Sequence, residues 1–196
     1  MTKGIKHVAF SKDGKYLACS DMSDDHQVFV FDWKAPLKAG NLLKPCAQGA
    51  GTKAVIMSLG FNDTGDAVVA TCIKAVTFFL IKDGKLQAKN GTGWGNSGAD
   101  TVMCQAVAGN TLFTGNFAGE IIAWKGTSIE KRNKSHSSKI SSLFASKNGK
   151  FLISGSDDGV VSTWSVSGST LTALKSFDLK LPEIQSLRPS ATSVCM

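Results

Sequence analysis

The feature that most constrains this chain is a recurrence. Short strand-like runs separated by tight turns, closed by an aromatic residue, come back four times. The clearest copy is His136 to Trp164, HSSKISSLFASKNGKFLISGSDDGVVSTW. Ile140–Phe144 alternates apolar and polar residues, as a half-buried strand does. Asn148-Gly149 reads as a hairpin turn, because Gly and Asn adopt positive φ at little cost. Phe151–Ser154 reads as a second strand, Asp157-Asp158-Gly159 as a second turn, and Val160–Trp164 as a third strand. The aromatic closing positions are Phe31, Phe79, Trp124 and Trp164, spaced 48, 45 and 40 residues apart.

A period near ~40–45 residues with four strands per unit predicts sheets stacked around an axis, an all-β propeller. The blades are expected at about 5–45, 52–90, 101–131 and 136–181 in one propeller segment. Residues 183–196, led by Glu183–Leu187, read as the start of a further blade, so a piece of a larger propeller is expected. The His136–Trp164 stretch resembles a WD-repeat blade: a His ahead of the first strand, Ser-Gly-Ser-Asp-Asp-Gly between the second and third, and a Trp closing the third. The resemblance implies a network from the Trp164 indole N–H to Ser156, on to His136, and on to Asp158. Each link is worth roughly 0.5–1.5 kcal/mol net.

The other units keep parts of this set. Ahead of Phe31, Asp25 and Ser23 stand six and eight residues back, with no His before the unit. Ahead of Phe79 the turn is shorter and lacks an acid, so apolar packing alone must hold that unit. Ahead of Trp124, Ala118 and Asn116 take the places of acid and hydroxyl. In residues 42–45 a short fourth strand closes the first unit. Gly93, Gly95 and Gly98 match a dinucleotide-type glycine pattern, but a strand rather than a helix follows, so a flexible loop is expected.

Composition agrees with an all-β chain: Gly is abundant at 20 and Pro scarce at 4. No apolar run reaches the ~18 residues of a membrane span, and Met1-Thr2-Lys3-Gly4 leads into a strand without a signal peptide. Cys19, Cys46, Cys72, Cys104 and Cys195 are odd in number and far apart, which suits reduced thiols in a cytoplasmic protein. Neither paired Cys nor paired His supports a metal site, and no cofactor is expected. His7 and His26 read as structural or surface residues. Ser156, His136 and Asp158 could be taken for a nucleophilic triad, but no G-x-S-x-G turn surrounds the Ser. No enzyme is expected. The net charge of +7 favours acidic partners. Basic residues are not interleaved with aromatics, which argues against nucleic acid.

Four stretches carry a finer resemblance. AFSKDGKYLA with DDHQVFVFDWK, then CIKAVTFF before KDGKL, LFTGNFAGEIIAWKG and the His136–Trp164 stretch, resemble successive blades of the echinoderm microtubule-associated-protein-like (EMAP-like) family. Phe31 and Phe79 stand where that family commonly has Trp. The resemblance implies a non-enzymatic interaction module that binds tubulin or microtubules, placed in the cytoplasm on the cytoskeleton or in a cilium. The alternative is a general WD-repeat scaffold for signalling or ciliary complexes. Exposed turn residues Asp24, Lys74, Phe117 and Asp157 are the candidate partner contacts.

Overall fold

The computed structural model describes residues 4–35, 43–49, 51–96 and 98–180. Every named element is a β-strand. The chain forms two compact units, Met1–Gly91 and Thr92–Met196.

The first unit holds β1 (Ile5–Phe10), β2 (Tyr16–Asp21), β3 (Val28–Asp32), β4 (Ala47–Gly49), β5 (Ile56–Phe61), β6 (Ala67–Cys72), β7 (Ala75–Lys82) and β8 (Lys85–Asn90). β1 to β4 form one antiparallel meander and β5 to β8 another. A parallel pairing of Gln48 with Lys85 joins their outer strands, giving the order β1-β2-β3-β4-β8-β7-β6-β5. That pairing requires a residue without a side chain at Gly49, where a Cβ would stand 2.5 Å from the Leu86 carbonyl oxygen. The fourth strand of the first meander therefore lies at 47–49; residues 43–45 are not strand, and residue 42 is outside the described residues. Pro45 has no N–H to give to a ladder, and pairing begins where Cys46 N donates to Val30 O at 2.8 Å.

The core of this unit packs Ala18, Val28 and Val30 of the first meander against Val68, Ala70 and Phe79 of the second. These residues alternate along their strands, so each sheet offers one apolar face to the other. His7 ties the two meanders as well, through Nε2 to Ile56 O at 3.0 Å. Burial holds its pKa below the ordinary value.

The second unit holds β9 (Val102–Ala108), β10 (Thr111–Asn116), β11 (Glu120–Lys125) and β12 (Ser128–Lys134) in one sheet. β13 (Ile140–Ala145), β14 (Phe151–Ser156), β15 (Val160–Ser167) and β16 (Thr170–Asp178) form the other. Phe113, Ile121 and Ala123 of the first sheet bury against Ile140, Leu143, Leu152 and Trp164 of the second. The expected further strand at 183–187 falls outside the described residues.

Cys19, Cys72 and Cys104 are free and buried, and Cys46 is free and exposed. Burial pushes the Cys72 and Cys104 thiols up to about 12, which leaves them unreactive at neutral pH. Cys195 lies outside the described residues.

Candidate functional site

The four meanders share one register. The closing aromatic of each third strand sits directly across from an aliphatic residue of the second: Phe31 from Leu17, Phe79 from Val68, Trp124 from Leu112 and Trp164 from Leu152. Two residues further along the second strand, on the same face, stand Cys19, Ala70, Thr114 and Ser154. This is the diagonal neighbour that a large side chain reaches in an antiparallel pair. Where the aromatic is an indole, that neighbour carries a hydroxyl. Where it is a phenyl, with no N–H to satisfy, the neighbour is Cys or Ala.

In the fourth meander Trp164 Nε1 donates to Ser154 Oγ at 2.9 Å. Ser154 Oγ lies 2.7 Å from His136 Nε2, and His136 Nδ1 lies 3.6 Å from Asp158 Oδ1. Having accepted from the indole, the Ser154 hydroxyl has its one proton to offer to His136 Nε2 at 2.7 Å or to Ser162 O at 3.5 Å. With that proton directed to Nε2, the histidine carries its own on Nδ1, on the side of the carboxylate. Burial lowers the His136 pKa against the opposing pull of Asp158, favouring the neutral imidazole. Burial of Asp158 favours its neutral form, but hydrogen bonds from Ser137 and the Val160 N–H outweigh this and lower its pKa. Ser137 supplies two of these bonds, from Oγ at 2.8 Å and from N at 3.1 Å.

The hydroxyl in this arrangement is Ser154, not the expected Ser156. Ser156 pairs with Ile140 of β13 and is four positions beyond the residue opposite Trp164. Its Oγ donates to Ser138 O at 3.2 Å and accepts from Asp158 N at 3.5 Å, which fastens the second turn. The spacing from hydroxyl to Trp is ten residues, not eight. The same correction applies to the earlier meanders. Thr114 Oγ1, not Asn116, accepts from Trp124 Nε1 at 2.9 Å. Asn116 fastens its own turn, accepting from Glu120 N at 2.7 Å. In the first meander that turn role belongs to buried Asp21, which accepts from Ser23 Oγ at 2.5 Å and Gln27 N at 2.9 Å.

Replacing Ser154 with Ala should lower stability by about 1–3 kcal/mol, since it strips a buried indole N–H and a buried imidazole nitrogen of their shared partner. Ser156→Ala should cost less than about 1 kcal/mol, the net worth of an ordinary hydrogen bond. Urea unfolding midpoints of the two variants decide the assignment, and equal losses would remove Ser154 from its place.

In the third meander an aromatic fills the role of the histidine. Trp94 packs edge-on to Trp124, centroids 5.5 Å apart and planes at 70°, as His136 packs edge-on to Trp164. Arg132 lies over the Trp94 ring at 5.5 Å and donates to Trp94 O at 3.0 Å. It also pairs with Glu120 at 3.2 Å, and Asn116 Nδ2 donates to the same carboxylate oxygen at 2.9 Å. The glycine-rich segment expected as a flexible loop is thus pinned at its centre by Trp94, and Thr92 bridges to Ser128. Strand β9 follows it, with no helix to complete a nucleotide site.

The four candidate contacts all lie in the second turn of their own meander. Asp24 and Lys74 are exposed in the first unit, Lys74 at φ 54° in a two-residue turn. Phe117 is 58% exposed. Asp157 is half-buried and held by Lys139 at 2.8 Å. Among the described residues no group of three or more His, Cys, Asp or Glu side chains could hold a metal ion. Among them, too, no helix is long and apolar enough to cross a membrane.

Four four-stranded antiparallel meanders in one shared register are consistent with a partial β-propeller. Residues 2–32 and 128–165 match the WD40 family model, "WD domain, G-beta repeat". The beta-propeller domain of Myceliophteria_thermophila Cps50 (Swd1) superimposes with a TM-score of 0.69 at 13% identity, covering 89% of this chain and 59% of that one. Echinoderm microtubule-associated protein-like 4 of Homo sapiens is 26% identical over 180 residues, 83% of this chain and 18% of that protein. Echinoderm microtubule-associated protein-like 1 of Homo sapiens is 26% identical over 170 residues, covering 83% and 20%. The chain thus spans about a fifth of the length of these curated relatives.

Proposed function

We propose that this chain is a scaffold segment that brings proteins together through the second turns of its meanders, with Asp24, Lys74, Phe117 and Asp157 as contacts. The observation that carries the reading is the division of labour in each repeat. The polar side chains that would otherwise suggest chemistry are committed to locking strands, as with His136, Ser154 and Asp158. What remains available at the turns is shape, one large exposed phenyl ring and charge, which suits protein recognition. Signalling or ciliary complexes in the cytoplasm are the setting this reading favours.

Tubulin or microtubules form the second reading. It is supported by the similarity to two EMAP-like proteins over 83% of the chain, and by the excess of positive charge. It would place the protein on the cytoskeleton.

The test compares the intact chain with a Phe117→Asp, Lys74→Glu variant. Purified tubulin is titrated against both, and proteins retained from cell extract are compared in parallel. A partner held by the wild type and lost by the variant supports the second turns as contacts. Tubulin being that partner supports the second reading. Identical retention by both proteins would refute a role for the second turns.

A further inference from the structure

The second unit segregates its charge along the strand direction. In a four-strand meander the first and third turns share one end and the second turn lies at the other. At the end carrying the first and third turns of both sheets, the described residues hold four lysines, Lys125, Lys131, Lys147 and Lys150, all exposed, and one carboxylate, Glu130. At the opposite end acids and bases balance: Asp100, Glu120, Asp157, Asp158 and Asp178 stand with Arg132, Lys134, Lys139, Lys175 and Lys180.

The lysine-bearing end also has a cleft of about 320 Å³, lined by Ala108, Gly109, Asn110, Thr111, Gly149 and Val166, with Gly168 at its edge. Its floor is the meeting of two glycine turns. Its rim is basic. Lys150 follows Gly149 directly and accepts from Val166 N at 2.8 Å through its carbonyl. Lys131 reaches across from the neighbouring sheet to Thr170 Oγ1 at 3.1 Å, two residues from Gly168. Three glycines line the cleft and leave it open to an approaching backbone, and Lys150 and Lys131 stand beside it.

We propose that this cleft docks an extended acidic peptide of a partner protein, its carboxylates on Lys131, Lys147, Lys150 and Lys125. The proposal rests on the reading of the chain as a protein-interaction module and adds a second surface, at the opposite end of the sheets from Phe117 and Asp157. Charge complementarity points to carboxylates. A nucleic acid would look for exposed rings to stack upon, and Trp94 and Trp124 are packed on one another. A lipid surface would look for exposed apolar side chains. Those of this unit, Phe117, Leu174, Phe177 and Leu179, are not in these turns.

The experiment is fluorescence anisotropy of a labelled oligoglutamate peptide with the full chain, at low and at physiological salt. Binding should weaken as salt rises. The Lys125→Gln, Lys131→Gln, Lys147→Gln, Lys150→Gln variant should bind about tenfold more weakly or worse, four exposed charge pairs having been removed. A control with Lys12, Lys34, Lys85 and Lys89 changed to Gln should keep the wild-type affinity, and circular dichroism should show both variants folded. Three outcomes overturn the proposal: no peptide binding by the wild type, equal weakening in the control, or stronger competition by oligouridylate than by unlabelled oligoglutamate. Peptide binding that fails while partner retention at the second turns persists refutes this surface alone. Failure of both refutes the interaction module.

Discussion

Replacing Phe79 with Ala should destabilise the first unit by about 3–5 kcal/mol, the range for deleting a buried aromatic from a core. Phe79 is fully buried, across from Val68 on β6. It packs among Ile56, Leu59, Phe61 and Leu86 of its own meander and against Val28 and Val30 of the other. Nothing polar compensates for the lost ring. Its diagonal neighbour is Ala70, and the thiol of Cys72 reaches back only to the Ala70 carbonyl at 3.6 Å. A complementary variant checks the reason. Phe79→Trp introduces an indole N–H with no acceptor at Ala70, and should also destabilise. Adding Ala70→Ser to Phe79→Trp should recover about 1 kcal/mol or more of that loss, the value of satisfying a buried donor. Chemical unfolding of the wild type, Phe79→Trp, Ala70→Ser and the double variant, read as a double-mutant cycle, measures the coupling. A loss under about 1 kcal/mol for Phe79→Ala would mean that its meander does not depend on that packing.

The same pairing of ring and neighbour explains what could and could not be read from the sequence. Strands, turns and closing aromatics were legible because a period of two interrupted by Gly-containing turns leaves a strong pattern. Partners across a hairpin were not, since they depend on the length of the turn. From the aromatic back to the residue opposite it is 14 residues in the first meander, 11 in the second and 12 in the third and fourth. Counting back a constant distance from Trp164 lands on Ser156, in the turn region, while the strand register selects Ser154. Counting from the second strand would have found Thr114 and Ser154 together, and would have matched Cys19 and Ala70 to the phenyl rings. Trp94 was missed for a different reason. Flanking glycines at positive φ, Gly93 and Gly95, signal backbone freedom, and only the tertiary contacts of Trp94 and Thr92 show that the segment is held.

Gly149→Ala is expected to cost about 2–4 kcal/mol, from left-handed backbone strain together with overpacking. Gly149 closes the first turn of the fourth meander at φ 68°, its N–H donating to Ser146 O at 2.8 Å. A Cβ there would stand 2.3 Å from Gly109 N and 2.7 Å from Gly109 Cα. Both are backbone atoms, so neither side chain rotation nor local repacking relieves the contact. One of the two turns must move, and they form the floor of the basic cleft. Gly168 provides the control within the same unit. It has φ 57°, and a methyl group placed there would meet nothing within 4 Å, so Gly168→Ala should cost only the conformational strain, about 1–2 kcal/mol. The difference between the two unfolding free energies isolates the close approach of the turns from the left-handed backbone that both glycines share. Equal costs would mean that the two turns are free to separate. The cleft floor would then be too soft to position a bound peptide, and the lysines alone would have to account for any affinity.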